Sequence, residues 1–336
     1  MASRGRPSRR TIFAQVQNAV TELHERFGGL PSPHEAEDIW DDIWYHEAHN
    51  STAIEGNTLV LRQVEVLLRE DRTVGSKELR EYNEVRGYAD AARWVYGHAA
   101  ASPADRGSAN LLTLQDLRHI HHMAMTPVWS VAPHPSATAD EAPGNFRRHN
   151  IEPFPGGMRP PDFTEVPAEI SGWLKEVGNI RSLVDSVHLF EIVAQDHADF
   201  ECIHPFLDGN GRTGRLATNL ILVRLGYPPI IIDKRDRAKY LAALERADNG
   251  ELGALAELFA RAMLASLNRF IIPAVAGPVR FVPLAALASK NVSARGLRQA
   301  AERGRLKATK GDDGIWRTSR RMVDQYLKSR HQRLRS

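Results

Sequence analysis

The sequence predicts an all-α protein, a large helical core followed by a small basic domain carrying a wing-like hairpin. Three observations predict it. Through most of the 336 residues apolar side chains recur every three or four positions. Short alternating stretches separated by turn residues occur only near the end. Charge also divides the chain: from Arg280 to Ser336 there are 15 Lys/Arg against 4 Asp/Glu, or +11, which leaves −8 of the net +3 for everything before it. Such a division points to separate partners for the two parts.

Composition narrows the class. Hydrophobic residues make up 42% and charged residues 25%, ordinary for a globular chain. The single cysteine, Cys202, excludes an internal disulfide, reads as a small core residue, and fits a reducing, cytoplasmic setting. The basic start lacks the unbroken apolar core of a secretory signal, because Gln15, Gln17 and Asn18 interrupt it. No run reads as a membrane span, so a membrane is not expected as a partner.

The helices follow in order. Ile12 to Phe27 carries Val16, Val20 and Leu23 at helical spacing and is ended by Gly28, Gly29 and Pro31. Further helices are expected over His34–Ser51, Leu59–Leu68, Lys77–Ala100 and Leu114–Met125. The Pro/Gly/Ser-rich tract 101–110 reads as a loop, as does the proline-rich stretch from Thr126 to Pro161, which has room for a hairpin. Helices resume at Val166–Val177, Leu183–Ile203, Asn210–Leu225, Asp236–Asn249 and Leu252–Asn268, and Ile272–Pro278 reads as a linker.

Between two of these helices lies HPFLDGNGRTGR, His204 to Arg215. Gly209 and Gly211 let the backbone approach a ligand, and the helix start after them offers free amides to an anion. Arg212 and Arg215, three apart, project from one face and suit the outer phosphates of a triphosphate. Asp208 is a hard oxygen ligand for a magnesium ion, and His204 is the group able to take a proton near neutral pH.

These residues resemble the Fic family motif HPFx(D/E)GNGRxxR, met at His204, Pro205, Phe206, Asp208, Gly209, Asn210, Gly211, Arg212 and Arg215. The resemblance implies a helical Fic-type core that transfers AMP from ATP to a Ser, Thr or Tyr hydroxyl of a target protein. His204 would be the general base, Asp208 the Mg2+ ligand and Phe206 a core anchor. Gly209, Asn210, Gly211, Arg212 and Arg215 would surround the phosphates. Gly211 and Arg215 favour nucleotidyl over phosphoryl transfer. The motif leaves the base open, so UTP, GTP or a phosphocholine donor stay as alternatives.

Two further segments extend the resemblance. Ser51–Asn57, STAIEGN, resembles the family's inhibitory helix motif (S/T)xxxE(G/N), with Ser51, Glu55 and Gly56 at its marked positions. It implies that Glu55 pairs with Arg215 and keeps the γ-phosphate from binding productively. Pro143–Arg147 resembles the lead into the family's flap, a small β-hairpin here placed at 148–161, with Ile151, Phe154 and Met158 as target contacts.

The tail order of helix, turn, helix and wing resembles the winged helix-turn-helix modules of excisionases and the MerR group. Val282–Asn291 and Ala294–Arg303 would be its helices, and Leu306–Thr309 with Ile315–Thr318 its hairpin. Arg295, Arg298, Arg303 and Arg305 are its candidate DNA contacts, with a recruited protein as the other partner. The chain then divides into an N-terminal helical region with the inhibitory helix (1–104), the Fic core (105–272) and the basic domain (279–336). A transcription regulator whose Fic part senses nucleotide is a further reading. A homodimer is compatible with the sequence and not specified by it.

Two weaker signals are set aside. His46, Glu47 and His49 miss the four-residue spacing of a zinc helix. The adjacent His121 and His122 face different ways on a helix.

Overall fold

The computed structural model describes residues 7–33, 36–100, 110–153, 157–183, 189–277, 280–311 and 313–333. The chain forms two compact units, one of residues 1–17 and 32–263, the other of residues 18–31 and 264–336.

The first unit is helical. It takes the start of α1 (Arg9–Phe27), then α2 (Glu37–Ile54), α3 (Leu61–Glu70), α4 (Leu79–Ala100), α5 (Leu114–Trp129), α6 (Val166–Leu183), α7 (Leu189–Ile203), α8 (Asn210–Arg224), α9 (Arg237–Asp248) and most of α10 (Gly253–Ser266). Thr113 caps α5 by accepting from the Asp116 N–H at 3.1 Å. The expected helix ends at Met125, before the proline-rich stretch from Thr126. The helix instead runs two residues past the proline, and Asn83 of α4 and Ser130 both donate to the Pro127 carbonyl, at 3.0 and 2.8 Å. A proline in the last turn removes one intrahelical bond without stopping the helix, and side chains occupy the orphan carbonyls there.

α8 lies at the centre, packed by α2, α4, α5 and α7. It is buried on nearly every side although Asn210, Arg212, Thr213, Arg215, Thr218 and Asn219 are polar. Buried polar groups are kept where they are bonded, so this helix is where the polar residues of neighbouring helices converge.

α10 passes into one π-helical turn (Leu267–Ile271) and α11 (Ile272–Val275). The segment read as a linker from Ile272 is therefore helical as far as Val275. Pro273 is the second residue of α11, directly after the π-helical turn. Among the described residues Gly253–Val275 is the one helical stretch long and apolar enough to cross a membrane, at mean hydropathy 1.4. Its buried residues Leu255, Phe259, Met263, Leu267 and Ile271 recur at helical spacing, a stripe packed against protein rather than an apolar surface all round.

The second unit holds the end of α1, residues 264–277 and the basic tail. The tail runs β1 (Val282–Pro283), a 3-10 turn (Leu284–Leu287), α12 (Ala294–Glu302), β2 (Thr309–Lys310), β3 (Trp316–Thr318) and α13 (Arg320–Arg333). The expected helix over Val282–Asn291 is thus a strand and a single turn, because Val282 pairs with Thr318 at the edge of a β1-β3-β2 antiparallel sheet. Ser293 caps α12 at 3.1 Å, Gly304 leaves it at φ +66°, and Thr309 and Lys310 face Arg317 and Trp316 across the hairpin.

Candidate active site

The loop from His204 to Arg215 joins α7 to α8 and is closed by its own side chains. Asn210 Oδ1 accepts from the Phe206 N–H at 2.9 Å while its Nδ2 donates to the Phe206 carbonyl at 2.8 Å. Phe206 is fully buried and stacks on His121 of α5, with ring centroids 3.7 Å apart. His121 accepts from the Gly144 N–H through Nδ1 and donates to the Asp208 carbonyl through Nε2, at 2.7 and 2.9 Å. Burial lowers its pKa to about 4, so the imidazole that holds the loop is neutral.

Gly209 has φ +80°, and a Cβ there would lie 2.5 Å from Met125 Sδ. A Cβ on Gly211 would lie 2.6 Å from Glu55 Oε1 and 3.0 Å from an Arg215 Nη, so a side chain there would press on that ion pair. The first intrahelical bond of α8 runs from Thr213 N–H to the Gly209 carbonyl at 3.0 Å. The amides of Asn210, Gly211 and Arg212 precede it and have no intrahelical acceptor, the arrangement that receives phosphate at a helix start.

His204 sits just beyond α7 with φ +48°. Its Nδ1 donates to the Glu201 carbonyl at 3.1 Å, which places the ring proton there and makes Nε2 the basic nitrogen. Burial, with the Arg147 charge, lowers its pKa to about 4, so at neutral pH the imidazole is ready to accept a proton.

Asp208 Oδ1 accepts from Gly209 N–H at 2.6 Å and from Arg212 Nη2 at 3.0 Å. Burial raises the Asp208 carboxyl, but the Arg212 charge, the Gly209 N–H and the remaining neighbours together outweigh it, so the group lies below its ordinary value and is ionised. Among the described residues no group of three or more His, Cys, Asp and Glu converges. A magnesium ion at this loop would take Asp208 as its protein carboxylate and the rest of its oxygens from phosphates and water, which is how Mg2+ ordinarily binds.

Arg215 is claimed by α2. Its Nε donates to Ser51 Oγ at 2.8 Å, and its Nη2 donates to the Ser51 carbonyl at 3.1 Å and to Glu55 Oε1 at 2.7 Å. Burial pushes the Glu55 carboxyl up, while Arg215 and Arg212 pull it down further, so it is ionised. Gly56 follows at φ +105° and ends the helix. Arg237 of α9 donates to the Ile54 carbonyl at 2.6 Å, which ties the end of α2 in place.

The flap segment departs from expectation. Among its described residues, 148–153 and 157–161, there is no strand. Its backbone carbonyls serve Arg147 instead: the buried guanidinium donates to His149 and Pro161 carbonyls at 3.2 and 2.6 Å, and to the His204 carbonyl at 3.0 Å. Glu141 accepts from the Arg148 N–H at 2.6 Å, and Pro153, Pro160 and Pro161 supply no ladder donors. Ile151 and Met158 are half-buried, and Phe154 lies outside the described residues. In the tail, Arg295, Arg298, Arg303 and Arg305 are exposed, and Arg298 pairs with Glu302 at 2.9 Å.

Cys202 is half-exposed rather than part of the core. Its Sγ donates to Asp248 at 3.1 Å, and burial, aided by that carboxylate, pushes the thiol up to about 12. Sequence reasoning sets His121 aside, names Arg147 only as the end of the lead into the flap, and does not reach Glu201. Glu201 of α7 is buried, its Oε1 has no hydrogen-bond partner, and burial raises its pKa to about 8. The signal for Arg147 was present in the segment before the flap. His121 and Glu201 carry no local pattern.

Comparison with known proteins follows this geometry. Residues 111–222 match the Fic/DOC family. The chain is 30% identical over 239 residues to the protein adenylyltransferase Fic of Culex quinquefasciatus, covering 70% of this chain and 42% of that protein. It is 29% identical over 243 residues to the Drosophila virilis protein of the same name, covering 70% and 45%. The chain thus spans less than half the length of these relatives. Among solved structures, C. elegans Fic-1 (residues 134–508) superposes with TM-score 0.62 at 26% identity, over 77% of this chain and 72% of that one. A Fic family protein from Desulfovibrio desulfuricans shares the fold over 95% and 98% of the two chains, with TM-score 0.53 at 21% identity. Residues 111–222, which contain the loop from His204 to Arg215, are thus a domain that matches the Fic/DOC family.

Proposed function

We propose that this chain is a protein adenylyltransferase that moves AMP from ATP onto a Ser, Thr or Tyr hydroxyl of a target protein and is held back by Glu55. The observation that carries the reading is the loop itself. A neutral imidazole, an ionised carboxylate, two arginines and the free amides of one helix start meet within residues 204–215. The curated relatives' names support AMP as the transferred group.

In this reading the target hydroxyl oxygen bonds to the α-phosphorus and gives its proton to His204 Nε2. The bond from the α-phosphorus to the bridging oxygen breaks, and pyrophosphate leaves. The amides of Asn210, Gly211 and Arg212 face the phosphates, and Arg212 and Arg215 neutralise the outer ones. The Asn210 side chain is occupied in closing the loop, so its backbone amide is the group offered to phosphate. Asp208 would hold Mg2+, which when bound neutralises charge developing on the phosphate oxygens.

Arg215 cannot serve Glu55 and a γ-phosphate together. The 2.7 Å pair and the two bonds to Ser51 are the basis for reading α2 as the inhibitory helix. The tail, with its hairpin beside α12 and its exposed arginines, supports a winged helix-turn-helix-like module that meets DNA phosphates. The single cysteine is in keeping with action in the cytoplasm.

The test is labelling of a lysate and of the protein itself with ATP marked at the α-phosphate or, separately, at the γ-phosphate. Glu55→Gly is expected to pass on the α-label alone, and Glu55→Gly with His204→Ala to pass on at least about 100-fold less of it. Transfer of the γ-label would make the reaction phosphoryl transfer, and no transfer from any variant would remove the reading.

A further inference from the structure

α2 and α8 meet through three matched levels. Glu55 lies against Gly211, Ser51 binds Arg215, and Glu47 binds Asn219, so positions 47, 51 and 55 of one helix face 219, 215 and 211 of the other. Both series step by four residues in opposite directions, the register of two antiparallel helices. The level furthest from the loop is a buried carboxylate. Glu47 is 2% exposed, and its Oε1 accepts from Tyr88 Oη at 2.9 Å and Asn219 Nδ2 at 2.8 Å. Its Oε2 accepts from the Tyr96 hydroxyl. Tyr88, Tyr96 and Asn219 are themselves fully buried. Asn219 is fixed in turn by Ile230, donating to its carbonyl at 3.0 Å and accepting from its N–H at 2.8 Å.

From these contacts we infer that Glu47 is a positioning residue that sets the register of α2 on α8 and so places Glu55 on Arg215. The inference rests on Glu55 acting as the brake. An apolar residue at position 47 would be the cheaper choice for stability, since enclosing a carboxyl group is unfavourable before its bonds return anything, and burial raises its pKa to about 7. A buried polar group with directional partners instead specifies one alignment, because a shifted helix would leave its two oxygens without donors. A one-turn slip of α2 would carry Glu47 away from both tyrosines and Glu55 away from Arg215 together. A cavity of about 10 Å3 lies between the Glu47 and Ser51 levels, lined by both residues with Tyr88, Arg215 and Ile230–Ile232. It has room for about one water and none for a shifted side chain.

The experiment measures ATP affinity by calorimetry and α-label transfer rate on the full chain for the wild type and Glu47→Ala, Glu47→Gln, Tyr96→Phe, Glu55→Gly and Glu47→Ala/Glu55→Gly. Glu47→Ala is expected to tighten ATP binding and raise transfer at least about fivefold, in the direction of Glu55→Gly. Glu47→Gln, which keeps the shape and most bonds, should stay within about twofold of the wild type, and Tyr96→Phe should fall between them. In the Glu55→Gly background Glu47→Ala should add less than about twofold, which a general loosening of the fold would not reproduce. If Glu47→Ala fails to fold, the Tyr96→Phe result decides. Wild-type affinity and rate in Glu47→Ala, or in Tyr96→Phe where that variant decides, while Glu55→Gly binds tighter, would overturn the inference and leave the brake intact. An equal increase from Glu47→Ala in both backgrounds would also overturn it. Absence of α-label from Glu55→Gly would instead remove the proposed activity, with the calorimetry still reporting on Glu47. Absence of ATP binding in every variant would overturn both.

Discussion

Arg212 and Arg215 of the loop are almost enclosed, and each meets a carboxylate, Asp208 at 3.0 Å and Glu55 at 2.7 Å. Arg295, Arg303 and Arg305 of the tail are exposed and have no carboxylate partner among the described residues. The same side chain serves different ends. In the loop, burial makes each pairing a choice, since a guanidinium held by α2 is withheld from phosphate, and the loss of one partner leaves a charge uncompensated. In the tail each arginine adds a small, screened increment to a field, and no single one decides an outcome. Perturbations should therefore be large and specific in the loop and small and additive in the tail.

The largest effect is expected at the base. His204→Ala placed in Glu55→Gly should lower AMP transfer by about 10²- to 10⁴-fold, the usual worth of general base catalysis, with ATP affinity little changed by calorimetry. A smaller loss would mean that the loop positions without proton transfer. Arg147→Ala comes next. It strips donors from the His204, His149 and Pro161 carbonyls at once. Each buried orphan costs about 1–3 kcal/mol, so thermal unfolding should shift down by several degrees and transfer should drop by roughly tenfold or more.

Glu201 gives a test by pH. Its folded pKa is raised, by burial first, from 4.5 to about 8. The folded state then holds a proton that the unfolded state has released, so its contribution is fully present below 4.5 and is lost as pH rises to about 8. Across that window the melting temperature of the wild type should fall relative to that of Glu201→Gln. Parallel curves would mean that Glu201 is not neutral in the fold.

Smallest is the tail. Arg303→Glu should leave thermal stability within about 0.5 kcal/mol of the wild type. DNA binding in a gel shift would become weaker, with a salt slope shallower by about one or two. A loss of binding at all salt concentrations would make Arg303 a specific contact and erase the contrast with the loop.

How legible these regions were in the sequence follows from the same contrast. The loop could be read because its groups are contiguous, His204 to Arg215, and chain geometry alone brings them together. Glu55 and Ser51 were legible only through a resemblance, since 160 residues separate Glu55 from Arg215. Glu47 was set aside with its histidine neighbours, and its role depends on Tyr88, Tyr96 and Asn219 arriving from two other helices, which no local spacing encodes. His121 was dismissed as one of an adjacent pair, although facing different ways is what turns it alone toward Asp208. Most helices matched their apolar periodicity. The helix expected to end at Met125 runs past Pro127, and the expected linker from Ile272 stays helical past Pro273, because a proline removes only one intrahelical bond. The flap hairpin failed because prolines and the Arg147 guanidinium take the backbone groups that a ladder would use.

The central claim is that Arg215 is shared, held by Glu55 at rest and by phosphate in action. The most direct measurement is the initial rate of α-label transfer by Glu55→Gly against the wild type, at the same ATP and target concentrations. A charge-assisted bond of about 1.5–3 kcal/mol predicts a rate roughly 10- to 100-fold higher for the variant. Equal rates from two folded, ATP-binding proteins would contradict the account.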